Sequence, residues 1–172
     1  MRIIIATPLY PPEIGSAAVY AKELARRLAE HHEITIVAYA RHPEQVPGVT
    51  VIEIDKQQSR LARIFTFRKA LAQAAKNADA IIAINGASVE FPVLLGSTAP
   101  VVFCVADKAA HEHGGLLERL AFARARSVIM EVPDSKPEIL PLEPEPTDAI
   151  AAWDAAWDAH VHSLEQILDH GD

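Results

Sequence analysis

A single cysteine in 172 residues, Cys104, excludes any internal disulfide and makes a reducing, cytoplasmic setting the expectation. It sits in the apolar run Val101–Val105, where an inert core thiol is expected and a reactive one is the alternative. Glycine is scarce at seven residues. None of them builds the G-x-G-x-x-G pattern of a dinucleotide site or a Walker-type phosphate loop. No apolar run approaches the ~18 residues a membrane span needs. The opening Met1-Arg2-Ile3-Ile4-Ile5 is too short for a signal peptide and lacks a small-residue cleavage site. No internal repeat is present, which excludes solenoids and propellers. A basic excess is missing too: the net charge is −7, so no nucleic-acid partner is expected.

What is present is ordinary globular material, 50% hydrophobic and 23% charged, and this composition excludes general disorder. The charge is unevenly spread. Residues 1–130 carry 15 Lys+Arg against 12 Asp+Glu, whereas residues 131–172 carry one against 11. The acidic tail is therefore expected to be a separate structural unit.

Short, uniformly apolar runs alternate with longer amphipathic stretches. Strands are predicted over 2–7, 33–40, 49–55, 78–84, 100–106 and 127–131, and helices over 16–31, 60–76, 87–95 and 116–125. In the first helix Val19, Ala21, Leu24, Ala25 and Leu28 mark the inner stripe. Strands apolar throughout, separated by helices, predict an α/β fold: one Rossmann-like, doubly wound parallel sheet of about six strands. The domain is expected over 1–130, followed by an acidic Pro-rich connector over 131–147. A C-terminal amphipathic helix over 148–170 carries the stripe Ile150, Trp153, Trp157, Val161, Leu164 and Leu168. That helix is expected to pack back on the domain, and joining two chains is the alternative.

Ligands of such sheets bind beyond the carboxyl ends of the strands, which directs attention to three loops. In the first, Pro8–Ser16, Gly15 and Ser16 open a helix whose amides and dipole favour an anion such as phosphate. A tight turn that needs glycine accounts for the same residues. The second loop holds Asn85 and Glu90. The third, 107–115, holds Asp107, a group able to take a proton or accept hydrogen bonds from a hydroxylated ligand, together with His111. His111 and His113 around Glu112 are not the H-E-x-x-H of a metalloprotease, and neither a metal nor a cofactor is expected. His160 and His162 diverge by ~200° on a helix and would not chelate one ion. The stretch Arg60–Lys76 contains five Lys/Arg, no acid, and interleaved Ile64, Phe65 and Phe67. Peripheral contact with anionic lipid at the inner membrane face suits it. A basic solvent face over an apolar inner face explains it as well.

The segment Thr7-Pro8-Leu9-Tyr10-Pro11-Pro12-Glu13-Ile14-Gly15, followed by Glu23-Leu24-Ala25-Arg26-Arg27-Leu28, resembles the opening of a family-4 glycosyltransferase. Those enzymes begin with a strand, a Tyr-Pro-Pro-x-x-Gly-Gly loop and a helix ending in Leu-Ala-x-x-Leu. The likeness continues through Glu33–Val37, Pro47–Val49, Asn77–Ile82, Pro100–Phe103 and the Asp107 region, to about residue 130. It implies the acceptor-type, N-terminal domain of a GT-B fold. The donor domain of that fold carries two glutamates eight positions apart, and no pair in this chain has that spacing. The second family glycine is Ser16, and the position where many members place His before the Asp is Ala106.

The resemblance therefore implies a domain acting in glycan or glycolipid synthesis with a separate donor-binding chain, on a sugar or lipid-linked acceptor, and inactive alone. Asp107 is the expected contact to the acceptor hydroxyl, with Gly15, Ser16, Asn85, Glu90 and His111 in binding roles. Two alternatives stay open. One is a non-catalytic, degenerate interaction module or homo-oligomer; the other is a small nucleotide-binding enzyme, which the missing glycine fingerprint disfavours.

Overall fold

The computed structural model describes residues 1–96, 99–133 and 147–169. Six strands form one parallel sheet: β1 (Arg2–Thr7), β2 (Glu33–Tyr39), β3 (Val49–Ile54), β4 (Ala80–Ile84), β5 (Val101–Cys104) and β6 (Ser127–Ile129). Their order is β3-β2-β1-β4-β5-β6, so the chain starts in the middle and winds outward in both directions. Ile4 of β1 registers with Thr35 on one side and Ile81 on the other. The helices are α1 (Ser16–Leu28), α2 (Arg60–Ala75), α3 (Ala87–Gly96), α4 (Lys108–Glu112), α5 (Leu116–Arg124) and α6 (Thr147–Asp169). Most of the 131–147 connector lies outside the described residues.

The central strands are apolar on both sides because both sheet faces are covered. Period-two geometry sorts their side chains. Ile3, Ile5, Ile34, Ile36, Ile82 and Cys104 face a core completed by α1 and α6. Ile4, Val37, Ile81, Ala83 and Phe103 face a second core under α2, α3 and α5. Tyr39 stacks on Phe67 of α2 at 4.8 Å in that second core.

Two details depart from the sequence expectation. The buried stripe of α1 runs through Ala17, Tyr20, Ala21, Leu24 and Leu28, while Val19 is exposed. At 100° per residue, Tyr20 and Val19 cannot share the inward face with Leu24, and the larger ring takes it. Lys108–Glu112, expected to be loop, forms the short helix α4.

α6 lies on α1. Trp157, Leu164 and Leu168 are buried in the first core, and Trp157 stacks on Tyr20 with centroids 5.4 Å apart. The Arg27 guanidinium sits over the Trp153 and Trp157 rings at 5.3 and 5.7 Å. It also pairs with Glu23, Asp154 and Asp158. His32 meets Glu165 at 3.0 Å, and the Tyr20 hydroxyl shares a 2.7 Å hydrogen bond with His160 Nε2. Burial pushes His160 down to about 4 and the Cys104 thiol up to about 12. His162 is exposed, turned to Gln166. Among the described residues no helix is long and apolar enough to cross a membrane.

Candidate functional site

The strand order reverses between β1 and β4, and the loops leaving their carboxyl ends meet there. Gly86, at φ 145°, follows β4; a Cβ on it would lie 3.2 Å from the Pro8 ring in the loop after β1. Gly15, at φ 157°, opens α1, and its Cβ would lie 2.9 Å from Leu9. The chain therefore needs glycine at both positions, one on each side of the switch point.

Two clefts open along this edge, one toward each face of the sheet. The first, about 350 Å³, is lined by Ser16, Val19 and Tyr20 of α1, by Ala106–Ala109 after β5, by Val132 and Pro133, and by Trp157 of α6. Ser16 is exposed at the helix start. The Gly15 carbonyl accepts from the Ala18 and Val19 amides. The amides of Ser16 and Ala17 precede any carbonyl one turn back, so the positive end of α1 faces this cleft. The indole Nε1 of Trp157 is buried with no hydrogen-bond partner.

Asp107 enters the same cleft on a loop held by Asn85. The Asn85 side chain is buried; its Nδ2 donates to the Asp107 carbonyl at 2.7 Å and its Oδ1 accepts from the Asp107 amide at 3.0 Å. Asn85 thus clamps the β4 and β5 loops together through both ends of its amide.

Glu90 and His111 line neither cleft and belong to another cluster. Glu90 is buried, and its Oε1 accepts from the Gly86 amide at 2.9 Å. It reaches back one turn in the manner of a capping box. Burial, reinforced by Glu118, raises its carboxyl above the usual range, against the Gly86 bond and His111. Glu118, buried in the first turn of α5, pairs with His111 Nδ1 at 3.0 Å. A Cβ on Gly114 would fall 2.8 Å from the His111 carbonyl oxygen as well as onto the Glu118 carboxylate, and the backbone contact favours glycine there. Sequence reasoning missed Glu118, Tyr20 and Lys108. The Glu at the third helical position was a capping signal; nothing local marked the other two as cleft walls.

The second cleft, about 640 Å³, lies at the ends of β1 to β4 between α2, α3 and α5. Its lining includes Leu9, Tyr39, Phe65, Phe91, Arg60 and Arg63, and contains no acid. Among the described residues no cluster of three His, Cys, Asp or Glu side chains is arranged for a metal ion.

A family model described as a glycosyl transferase 4-like domain matches residues 15–132, from the glycine that opens α1 to the wall of the first cleft. No curated protein matches the chain. Among solved structures, the C-terminal domain of the coenzyme A biosynthesis bifunctional protein CoaBC aligns at a TM-score of 0.51 and 13% identity, over 96% of each chain. The DNA/pantothenate metabolism flavoprotein from Streptococcus pneumoniae aligns at a TM-score of 0.30 and 11% identity, over 91% of this chain and 66% of that one. The first is a likeness of fold.

Proposed function

The chain belongs to the glycosyl transferase 4-like family, and from that premise we propose that it is the acceptor side of a GT-B sugar-transfer site, completed by a donor-binding half on a separate chain. One observation carries this reading: Ser16, at the positive end of α1, and Asp107 line one cleft at the switch point. Transfer from a sugar nucleotide breaks the bond between the anomeric carbon and a phosphate oxygen. It forms a bond from that carbon to an acceptor hydroxyl, which loses its proton. Negative charge on the departing phosphate is favoured beside the α1 terminus. The Asp107 carboxylate accepts a hydrogen bond from the attacking hydroxyl, orients it and takes up the proton it loses. Asn85 acts as a positioning residue through the Asp107 backbone, and Glu90 acts likewise through Gly86. His111 holds Glu118 and touches neither reactant. The substrate class is a sugar or lipid-linked acceptor in glycan or glycolipid synthesis, at the cytoplasmic side of a membrane.

The test is reconstitution. The purified chain with sugar nucleotides and a lipid-linked acceptor should give no transfer, and adding a donor-binding half should start it. Turnover by the chain alone would refute the two-chain reading. Ala106, in the place where many family members put His, favours a second reading: a cleft that binds without transferring. Ligand binding that persists while every donor-binding half fails to start transfer would select it.

A further inference from the structure

Ten large apolar side chains are exposed among the described residues, and six belong to three helices: Leu61 and Phe65 of α2, Phe91 and Leu95 of α3, Leu116 and Leu120 of α5. These helices pack side by side, α2 on α3 and α3 on α5, over one face of the sheet. The opposite face, under α1 and α6, exposes Val19 alone of this kind on its helices. Scattered exposed apolar residues are normal; a concentration on one face marks a contact surface.

The three helices of that face expose charge of one sign. Between Asp55 and Asp79 there are six Lys/Arg and no acid. Arg60, Arg68 and Lys69 are exposed on α2 beside Leu61 and Phe65, and Arg119 and Arg124 are exposed on α5 beside Leu116 and Leu120. The acids of α3 and α5, Glu90 and Glu118, are buried. Lys56 pairs with Glu13 at the cleft edge. The large cleft opens in the middle of this surface with Arg60 and Arg63 in its wall. Across the sheet, α6 presents Asp154, Asp158, Glu165 and Asp169. On that face the cations of α1, Lys22, Arg26 and Arg27, all pair with acids, so the exposed cations that stand beside exposed apolar side chains are those of α2 and α5.

We propose that the α2–α3–α5 face lies on an anionic bilayer, with its apolar side chains in the acyl boundary and its cations among the lipid phosphates. An exposed apolar stripe flanked by Lys and Arg binds this way through buried area plus attraction to anionic lipid. A neutral apolar partner would leave the cations without counter-charges, and a hydrophilic acidic partner would leave six apolar side chains in water. The contact needs no sugar transfer, so its test stands apart from the function proposed above.

The experiment is flotation of the full chain with phosphatidylcholine vesicles, with and without phosphatidylglycerol, at low and high salt. Binding is expected only with phosphatidylglycerol and should weaken with salt. Arg60→Gln and Lys69→Gln should each lose about fivefold in affinity. The double variant Leu61→Ser/Phe65→Ser should lose about tenfold or more, with an unchanged far-UV circular dichroism spectrum because both side chains are exposed. No binding to phosphatidylglycerol vesicles, equal binding to neutral ones, or variants that bind like the wild type would overturn the proposal. So would a wild-type dimer that Leu61→Ser/Phe65→Ser converts to a monomer, which would make the face a self-interface.

Discussion

Replacing Trp157 tests how α6 is held. Its ring is 1% exposed, stacked on Tyr20 at 5.4 Å and covered by Arg27 at 5.7 Å. Truncating such a core aromatic to alanine costs about 3–5 kcal/mol. The ring contacts add to that by roughly 0.5–1.5 kcal/mol for the aromatic pair. The buried Nε1, which has no partner, works the other way by about 1–3 kcal/mol. Trp157→Ala should therefore lose about 3–5 kcal/mol, lowering the melting temperature by roughly 6–20 °C in a domain this size. Trp157→Phe keeps most of the apolar area and removes the unpaired N–H, so it should stay within about 1.5 kcal/mol of the wild type. Urea unfolding followed by far-UV circular dichroism measures both. Trp157→Ala costing under about 1 kcal/mol, or Trp157→Phe costing as much as alanine, would show that the ring does not seat α6 on α1.

Other outcomes follow from the same packing. His160 is held neutral, down to about 4, by burial. An unfolded chain takes up the proton from pH 6.5 downward, so stability is full above that pH and falls as the pH drops toward 4. The loss is about 1–3 kcal/mol after solvent screening, and His160→Gln should flatten it in urea titrations across this range. The Cys104 thiol, pushed up to about 12 by burial, has about one thiolate in ten thousand at pH 8. Iodoacetamide should leave the native chain unlabelled and label the urea-unfolded one; native labelling at the unfolded rate would contradict the buried position. Gly86→Ala, forced to φ 145° against Pro8, should cost about 1–3 kcal/mol in the same unfolding assay, and a neutral result would deny the close approach of the two loops.

The sheet was readable in the sequence because it is written in local pattern. Runs such as Ile3-Ile4-Ile5 and Ala80-Ile81-Ile82-Ala83-Ile84 are apolar on both faces, and the longer periodic stretches between them leave a crossover order as the economical arrangement. Strand ends were less legible: Ala78 and Pro100 lie outside β4 and β5, Ala78 packing on the second core from the preceding loop and Pro100 exposed. The placement of Gly15, Ser16 and Asp107 at the carboxyl edge follows from topology, so it was available in advance. The company they keep was not. Tyr20 and His160 are 140 positions apart, and His111 reaches Glu118 across the Gly114–Gly115 turn. The use of both ends of the Asn85 amide on the Asp107 backbone is likewise a tertiary fact. Residue type suggested binding roles for Asn85 and Glu90; the loop contacts that both side chains make were not legible there.

The most direct measurement is sugar transfer by the chain together with a donor-binding half, compared between wild type and Asp107→Asn. The Asn85 bonds run to the Asp107 backbone, so the substitution leaves that clamp in place. Turnover is expected to fall by about 10²-fold or more. Undiminished turnover by Asp107→Asn would contradict it.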